Sequence, residues 1–350
     1  MNAFEKQLKT KILKAVEYNL SAYTQSLCLQ VFQKGEKLAE LDLGRSYKYY
    51  DLASLTKPLF TVSTFMRYND EKRLTPEDRI QKLLEWWPHK STRIKEVLSH
   101  HAGLAWWYPF FEMLDKKDST IKKREEVRLF FENLKLGSKK KSVYSDLDFI
   151  LLGFVMEAAE EHSLLQIWGN TSRPWGLKSL HFNAENKPTY KRTDYAPTEK
   201  CPWRKKVLQG EVHDDNTWAM GGVSTHAGLF GSLEDVSAWG LLLREALKNK
   251  AGSALASHET AKLFCKRQVP RSVGDWALGF TLPSQKDSTA GHHFSPSSVG
   301  HTGFTGTSFW YDPKRDLLVT ILANRVYPTR ENVKFRTLRP LIHDFIVESL

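Results

Sequence analysis

Strand-forming runs lie near both ends of this chain of 350 residues, and a mainly helical stretch separates them. Residues 26–32 and 38–43 surround a turn, which predicts an antiparallel hairpin. Residues 276–282, 307–311 and 317–323 have the same character close to the other end. The economical arrangement is one sheet built from both termini. We therefore expect an α+β fold, in which a mainly antiparallel sheet is flanked by helices and interrupted by a helical insertion.

This arrangement predicts two interleaved domains. A sheet domain with terminal helices would comprise residues 1–64 and 231–350, and a helical insertion domain would comprise residues 65–230. An active site is expected in the cleft between the two parts. The helices predicted from apolar periodicity and from capping residues are 1–20, 75–87, 92–99, 120–134, 147–160, 233–247, 258–266 and 332–348.

Composition and charge narrow the range of partners and compartments. The formal net charge is +11, but the basic runs are short and acids interrupt them, so we expect neither a nucleic-acid partner nor a membrane partner. Three cysteines are too few and too scattered for a disulfide framework, which fits a reducing compartment. The first 20 residues are amphipathic rather than continuously apolar, and no run of 18 apolar residues occurs. We expect a cytoplasmic protein, and its oligomeric state is left open.

Ser54 and Lys57 form the first candidate catalytic pair. Residues three apart on a helix share a face, so the amine of Lys57 can reach the hydroxyl of Ser54. Pro58 is tolerated only in a first helical turn, which places the start of the helix at or just before Ser54. Free backbone N–H groups at such a helix start favour a developing oxyanion. Because a Ser-x-x-Lys pattern is frequent by chance, the pair alone does not establish catalysis.

Two further short motifs follow in order: Tyr144-Ser145-Asp146, which stands just before an apolar helix, and His301-Thr302-Gly303. With Ser54-x-x-Lys57 and their flanking segments, they resemble the serine penicillin-recognising hydrolases. The similarity is greatest to the branch with class C beta-lactamases, D-alanyl-D-alanine carboxypeptidases and related esterases. It extends from about residue 22 to residue 345. It implies a beta-lactamase/transpeptidase-like fold.

The resemblance also implies a role for each motif residue. Ser54 would be the nucleophile that forms an acyl-enzyme, Lys57 would activate it or set the local field, and Tyr144 would carry the proton to the leaving group. A phenol normally titrates near pH 10, so Tyr144 would need an adjacent ammonium in a low-dielectric cleft to act as a base at neutral pH. The remaining roles are an oxyanion hole from the backbone N–H groups of Ser54 and Phe304, and substrate binding by Asp146, His301, Thr302 and Gly303. In this scheme Gly303 lets the substrate backbone approach closely.

Two residues depart from the commonest family pattern. His301 stands where most members have lysine, so carboxylate binding should weaken as the pH rises through about 6.5 if the surroundings of the imidazole are neutral. Asp146 stands where asparagine is common, and an ionised aspartate cannot donate a hydrogen bond to a substrate carbonyl. Asp146 would instead pair with Lys57 and favour its charged form, which makes Tyr144 the better candidate for the base.

The sequence therefore predicts a serine hydrolase that acts through an acyl-enzyme on a small ester, amide or short peptide. The favoured activity is that of a beta-lactamase-like D-alanyl-D-alanine carboxypeptidase or peptidase of cell-wall turnover. A promiscuous esterase or weak beta-lactamase is an alternative, and a non-catalytic sensor of muropeptides is another. We expect no cofactor and no metal, because the paired histidines His100-His101 and His292-His293 lack metal-ligand spacing. The glycine- and histidine-containing segments 210–216 and 221–230 are either a substrate-facing loop or a structural turn.

Overall fold

A five-stranded antiparallel sheet built from both ends of the chain forms the centre of the protein. The computed structural model describes residues 1–250 and 252–350. The strands are β1 Ser26–Gln33, β2 Glu36–Gly44, β3 Tyr50–Asp51, β4 His181–Phe182, β5 Glu199–Cys201, β6 Lys206–Leu208, β7 Leu229–Gly231, β8 Val299–Thr302, β9 Ser308–Asp312 and β10 Leu317–Ala323. The order in the main sheet is β2-β1-β10-β9-β8, so the hairpin near the N-terminus pairs directly with the strands near the C-terminus.

Helices cover both faces of this sheet. The α-helices of the described residues are α1 Ala3–Ala15, α2 Ser63–Asp70, α3 Ile94–Leu98, α4 Phe110–Met113, α5 Thr120–Glu132, α6 Asp146–Glu160, α7 Leu164–Ser172, α8 Asp215–Ala219, α9 Leu233–Leu247, α10 His258–Cys265 and α11 Phe335–Glu348. Among the described residues, every helix is too short or too polar to cross a lipid bilayer.

The alternation of side chains along β1 explains how the two faces are filled. Leu27, Leu29 and Val31 point to one face, where they join a core cluster with α1 and α11. The opposite face contributes to a larger cluster that contains Trp239 of α9 and Phe309 of β9. Each face of the sheet is therefore buried under helices, and the predicted α+β architecture is observed. The proposed division at residues 64 and 230 stays a prediction.

Local sequence signals fix the helix that carries part of the site. Ser145 is the N-cap of α6, and its side-chain oxygen accepts a hydrogen bond from the N–H of Asp148 at 3.1 Å. Nine of the residues in α6 are buried, so this helix lies in the core and holds its first turn rigidly. Tyr144 and Asp146 on either side of the cap are thereby placed at the edge of the cleft.

Two predicted elements are wrong. Residues 75–87 do not form a helix and contain only the 3-10 turn Ile80–Lys82, because the N–H of Ile80 donates to the carbonyl of Thr92 instead of to an intrahelical partner. Residues 276–282 do not form a strand. The run folds back at Gly279, where φ is +78°, and makes only isolated bridges, one of which joins Thr281 to Gly300 of β8.

Candidate active site

Ser54 lies at an irregular junction between strand β3 and helix α2. It belongs to the 3-10 turn Ala53–Leu55, which is followed by the π-helical segment Lys57–Val62 and then by α2. Ala53, the residue before the serine, has φ +48°, a left-handed conformation that costs a non-glycine residue about 1 kcal/mol. The helix start expected around Ser54 is therefore present, but it is not a regular α-helix.

Contacts from the C-terminal part of the chain hold this strained turn in place. The side chain of Asp51 accepts hydrogen bonds from the N–H of Ala53 at 2.8 Å and from the N–H of His213 at 2.7 Å. Thr305 Oγ1 donates to the carbonyl of Asp51 at 2.7 Å, and Thr307 Oγ1 donates to the carbonyl of Leu52 at 3.1 Å. The loop after β8 and the turn before the serine thus form one hydrogen-bonded unit.

The structure brings Ser54, Lys57 and Tyr144 together. Lys57 Nζ donates to Ser54 Oγ at 3.2 Å, and the hydroxyl of Tyr144 donates to the same oxygen at 2.8 Å. Lys57 Nζ also donates to Asp146 Oδ1 at 2.7 Å and to the carbonyl of His226 at 3.0 Å. The lysine is fully buried, so three acceptors replace the water that its ammonium has lost.

The electrostatics make Lys57 an ammonium. Burial acts against its charge, but Asp146 and Tyr144 outweigh burial, and the pKa of Lys57 is raised above its ordinary value. The expected pairing of Lys57 with Asp146 is present in the structure. Lys57 is therefore a cation beside Ser54 at neutral pH rather than a free amine.

The surroundings of Tyr144 agree only in part with those expected for a phenol that acts as a base. The adjacent ammonium is present, 4.9 Å from the centre of the phenol ring. Burial nevertheless raises the pKa of Tyr144 above its ordinary value, although the charge of Lys57 acts in the opposite direction. The expectation that a low-dielectric cleft helps Tyr144 to ionise is wrong, because burial disfavours the charged phenolate. The resting side chain is a neutral phenol.

A cavity of about 400 Å³ opens in front of the serine. Of the residues predicted for the site, those that line it are Ser54, Tyr144, His301, Thr302, Gly303 and Phe304. Lys57 and Asp146 contact Ser54 or its partners from behind this wall. Within the described part of the chain the N–H of Phe304 donates to no backbone carbonyl, so it is free to meet an oxyanion.

His301 is neutral in this site. Its ring is buried, with Nδ1 3.0 Å from the carbonyl of Thr302, and Nε2 has no partner among the described residues. Burial and then the charge of Lys57 lower the pKa of His301 to about 3. A transition near pH 6.5 was expected only for an imidazole in neutral surroundings. The ring is instead buried near the Lys57 ammonium, so His301 carries no positive charge at that pH.

Close packing around Gly303 leaves no room for a side chain at this position. A Cβ atom at this position would lie 2.0 Å from Thr307 Oγ1 and 2.7 Å from the carbonyl oxygen of Leu52. Glycine is therefore required where the third motif packs against the turn before the nucleophile. This packing requirement is a second reason for glycine here, and because Gly303 also lines the cavity, its expected role in letting a substrate approach stays a prediction.

Several groups near the site were not identified as parts of it from the sequence. The carbonyl of His226 contacts Lys57, so the segment 221–230 does reach the site, but through its backbone. Arg325, Arg336 and Arg339 line the cavity beside Phe304. They come from the segment after β10 and from α11, and no short motif connects them. Ser224, in the same segment, is buried, and its hydroxyl lies 2.8 Å from His226 Nδ1.

One cluster of potential metal ligands occurs in the described residues. Asp146, Asp214 and His226 offer ligand atoms within 4.8 Å of one another. Lys57 already donates to Asp146, and His226 Nε2 lies 2.9 Å from Asp214 Oδ1. Both carboxylates therefore have cationic or hydrogen-bonding partners within the protein.

Comparisons with known proteins agree with this geometry. The profile of the family described as "Beta-lactamase" matches residues 35–342. An Escherichia coli (strain K12) protein described as "Putative D-alanyl-D-alanine carboxypeptidase" is 30% identical over 305 residues, which represent 79% of this chain and 69% of that protein. A Bacillus subtilis (strain 168) protein described as "N-acetylmuramyl-L-alanine amidase" is 27% identical and is matched over 93% of this chain and 83% of its own length.

A solved structure shows the same fold. The hydrolase EstCE1, described as having promiscuous acyltransferase activity, superposes with a TM-score of 0.74 at 18% sequence identity. The match covers 98% of this chain and 99% of EstCE1. The predicted fold class is thereby confirmed.

Proposed function

The chain belongs to the beta-lactamase family and is a serine hydrolase of that family, and from this premise we propose that it is a carboxypeptidase acting on peptides that end in a D-amino acid. Family membership confirms the resemblance deduced from the three motifs. The observation that carries the proposal is the position of Ser54 Oγ, which lies between Lys57 Nζ and the Tyr144 hydroxyl at the wall of a cavity. The name of the Escherichia coli relative supports the choice of substrate.

In the proposed mechanism, Ser54 attacks the carbonyl of the peptide bond before the terminal D-residue. The oxyanion would lie between the backbone N–H groups of Ser54 and Phe304. Tyr144, in the minor phenolate form stabilised by the Lys57 ammonium, would take the proton of Ser54 and pass it to the leaving amine. Water would then hydrolyse the acyl ester at Ser54 and release the shortened peptide.

The terminal carboxylate of the substrate needs a donor or a cation in the cavity. His301 is neutral, so it supplies no charge there. Thr302 lines the cavity, and its hydroxyl is the nearest candidate donor from the third motif. The arginines beside Phe304 would supply the positive charge that the motif lacks.

Release of the terminal D-residue tests this proposal. The parent protein should release D-alanine from an acyl-D-Ala-D-Ala peptide, and Ser54→Ala should reduce kcat by at least about a thousandfold, as loss of a nucleophile does in comparable enzymes. Ser297→Ala, which removes a hydroxyl outside the cavity lining, is the matched control and should retain the parent rate. Equal release by the parent and by Ser54→Ala would refute the proposal.

An esterase is the second candidate, and Asp146 is the observation that favours it. Its carboxylate accepts a hydrogen bond from Lys57 and has no proton to donate to an acylamido carbonyl of a penicillin or a peptide. A small ester needs no such donor. We therefore expect slow or absent labelling by a fluorescent penicillin, and rapid stoichiometric labelling would contradict this expectation.

A further inference from the structure

The wall of the cavity beside Phe304 carries an excess of positive charge. Arg325, Arg336 and Arg339 line it, whereas no acidic residue is among its lining residues in the described part of the chain. The guanidinium carbons of Arg325 and Arg336 lie 4.5 Å and 5.6 Å from the centre of the same Phe304 ring. Both cations are therefore within contact distance of the same aromatic ring.

Within the described residues, none of these three arginines has a carboxylate at ion-pair distance. Arg330, from the same segment, shows the ordinary arrangement, with Glu199 at 2.7 Å and Asp215 at 3.1 Å. Arg325 and Arg339 instead donate to backbone carbonyls, which carry no charge. The protein thus holds three cations together without an anion of its own.

The surroundings of Arg339 show most clearly that the cluster lacks an anion. It is 93% buried, its Nη1 donates to the carbonyls of Gly303 and Thr307 at 3.3 Å and 2.8 Å, and its Nε has no partner among the described residues. Burial and the charges of Arg325 and Arg336 lower the pKa of Arg339 to about 9. Burial and the charge of Arg336 likewise lower the pKa of Arg325 to about 10. Such a cluster is costly in the free protein, and a bound anion relieves the cost.

One carboxylate is insufficient to balance this cluster. The terminal carboxylate of any carboxypeptidase substrate would neutralise one of the three guanidiniums. Because each guanidinium can form a forked pair with its own carboxylate, the cluster fits a group that carries two. We propose, on the basis of the carboxypeptidase function above, that the preferred leaving group is a dicarboxylic D-amino acid whose two carboxylates are bound by Arg325, Arg336 and Arg339.

The chemical step is unchanged by this preference. The bond from Ser54 Oγ to the acyl carbon forms as the amide C–N bond breaks, and the amine of the acidic residue leaves with the proton that Ser54 gave up. Water then splits the acyl ester, which restores Ser54 and releases a carboxylic acid. The arginine cluster binds the leaving group and takes no part in proton transfer.

Two peptides that differ by a single charge test the inference. Acyl-D-Ala-D-Glu and acyl-D-Ala-D-Gln have nearly the same size, but their terminal residues carry two carboxylates and one. The parent should show a kcat/KM about tenfold or more higher for the D-Glu peptide, which is the scale of one charge-assisted pair. The advantage should shrink as NaCl is raised, because salt screens charges in an open cavity.

Arg336→Gln is the diagnostic variant, because Arg336 is exposed and its replacement leaves the core intact. It should lower the D-Glu to D-Gln ratio at least about threefold, whereas Arg271→Gln, an exposed arginine outside the cavity lining, should keep the parent ratio. Thermal unfolding of both variants controls for folding. A parent ratio near one, or a ratio that Arg336→Gln leaves unchanged, would overturn the inference.

Failure of the inference and failure of the carboxypeptidase function give different results. Release of D-Ala and D-Gln without a preference for D-Glu would refute only the dicarboxylate specificity. Release of no terminal D-residue at all, with Ser54-dependent hydrolysis of a neutral ester retained, would refute the carboxypeptidase function and the inference together.

Discussion

At the scale of single residues, the site depends on one charge balance. Asp146 holds the buried Lys57 as an ammonium, and this ammonium is the main influence that favours ionisation of Tyr144. Asp146 has the opposite effect on Tyr144, because its negative charge disfavours a second anion nearby. The residue that departs from the common family pattern therefore influences the pKa values of both Lys57 and Tyr144.

Replacement of Asp146 should move the pH dependence of catalysis. In the parent, the pKa values of Lys57 and Tyr144 are both raised, so kcat/KM for an activated ester should increase with pH and reach no plateau below about pH 10. Asp146→Asn removes an influence that raises both pKa values. The rising limb should therefore shift to lower pH.

A pH–rate profile from pH 6 to pH 10.5 measures this shift. Glu185→Gln is the matched control, since it also removes one negative charge but on an exposed residue that pairs only with Lys187. An Asp146→Asn profile that superposes on the parent profile would contradict the assigned charge balance.

At the scale of elements, the site is assembled by close packing between two distant segments. Residues 303–307 after β8 hydrogen-bond to Asp51 and Leu52, which precede Ser54 in the strained turn. The position of Ser54 is therefore fixed by residues that are distant in sequence, and the two contacts join residues 254 and 255 positions apart. At Gly303 the two segments pack too closely to admit a Cβ atom.

Gly303→Ala should damage both stability and catalysis. The added Cβ would lie 2.0 Å from Thr307 Oγ1 and 2.7 Å from the Leu52 carbonyl, so the backbone must shift and the free energy of unfolding should fall by about 1–3 kcal/mol. Because Leu52 precedes the nucleophile by two residues, kcat should fall as well.

Gly169→Ala is the matched control for this variant. Gly169 lies in α7, and a Cβ there meets nothing within 4 Å. The control should gain about 0.5–1 kcal/mol from helix propensity and keep the parent kcat. Urea unfolding and steady-state kinetics compare the two variants, and a Gly303→Ala protein as stable and active as Gly169→Ala would refute the packing argument.

Sequence patterns predicted regular elements well and irregular ones poorly. Residues 233–247 and 317–323 match α9 and β10, because the helical periodicity of the first run and the continuous apolar character of the second agree with their burial. The stretch 75–87 has helical spacing of its buried residues Ile80, Leu84 and Trp87, but the N–H of Ile80 donates to Thr92 outside the stretch, and the other backbone donors make only local turns. Periodicity reports which residues are buried and not where their N–H groups donate.

In the candidate site, too, local sequence patterns were recognisable, whereas contacts between distant residues were not. The three motifs were recognisable because their residues are close in sequence and lie at element boundaries. The arginine cluster was not recognisable from the sequence, because Arg325, Arg336 and Arg339 come together only when α11 packs on the sheet. The neutral state of His301 also depends on burial that a sequence does not report.

At the scale of the whole molecule, stability should depend on pH through buried neutral histidines. His100, His301 and His343 are each at least 98% buried, and burial lowers the pKa of each below the ordinary value of 6.5. The unfolded chain binds protons at these groups below about pH 6.5, whereas the folded protein does not. Acid therefore favours the unfolded state.

The free energy of unfolding should fall as the pH is lowered from 7.5 to 5. Each of the three histidines should contribute a loss of about 2 kcal/mol by pH 5, partly offset by Asp148, whose pKa is raised by burial. Urea unfolding at a series of pH values measures the slope, and His343→Asn should lower it by removing one titrating group. Stability that is constant or rises over this interval would show that these histidines are not held neutral.

Intact-mass spectrometry of the acyl-enzyme tests covalent catalysis at Ser54. The protein is mixed with an acyl-D-Ala-D-lactate ester, quenched in acid within the first turnovers and digested to locate the adduct. The predicted result is a mass increase equal to the acyl group on the peptide that contains Ser54, present in Ser224→Ala and absent in Ser54→Ala. Hydrolysis without an adduct at Ser54, or an adduct that is still formed in Ser54→Ala, would show that Ser54 is not the nucleophile.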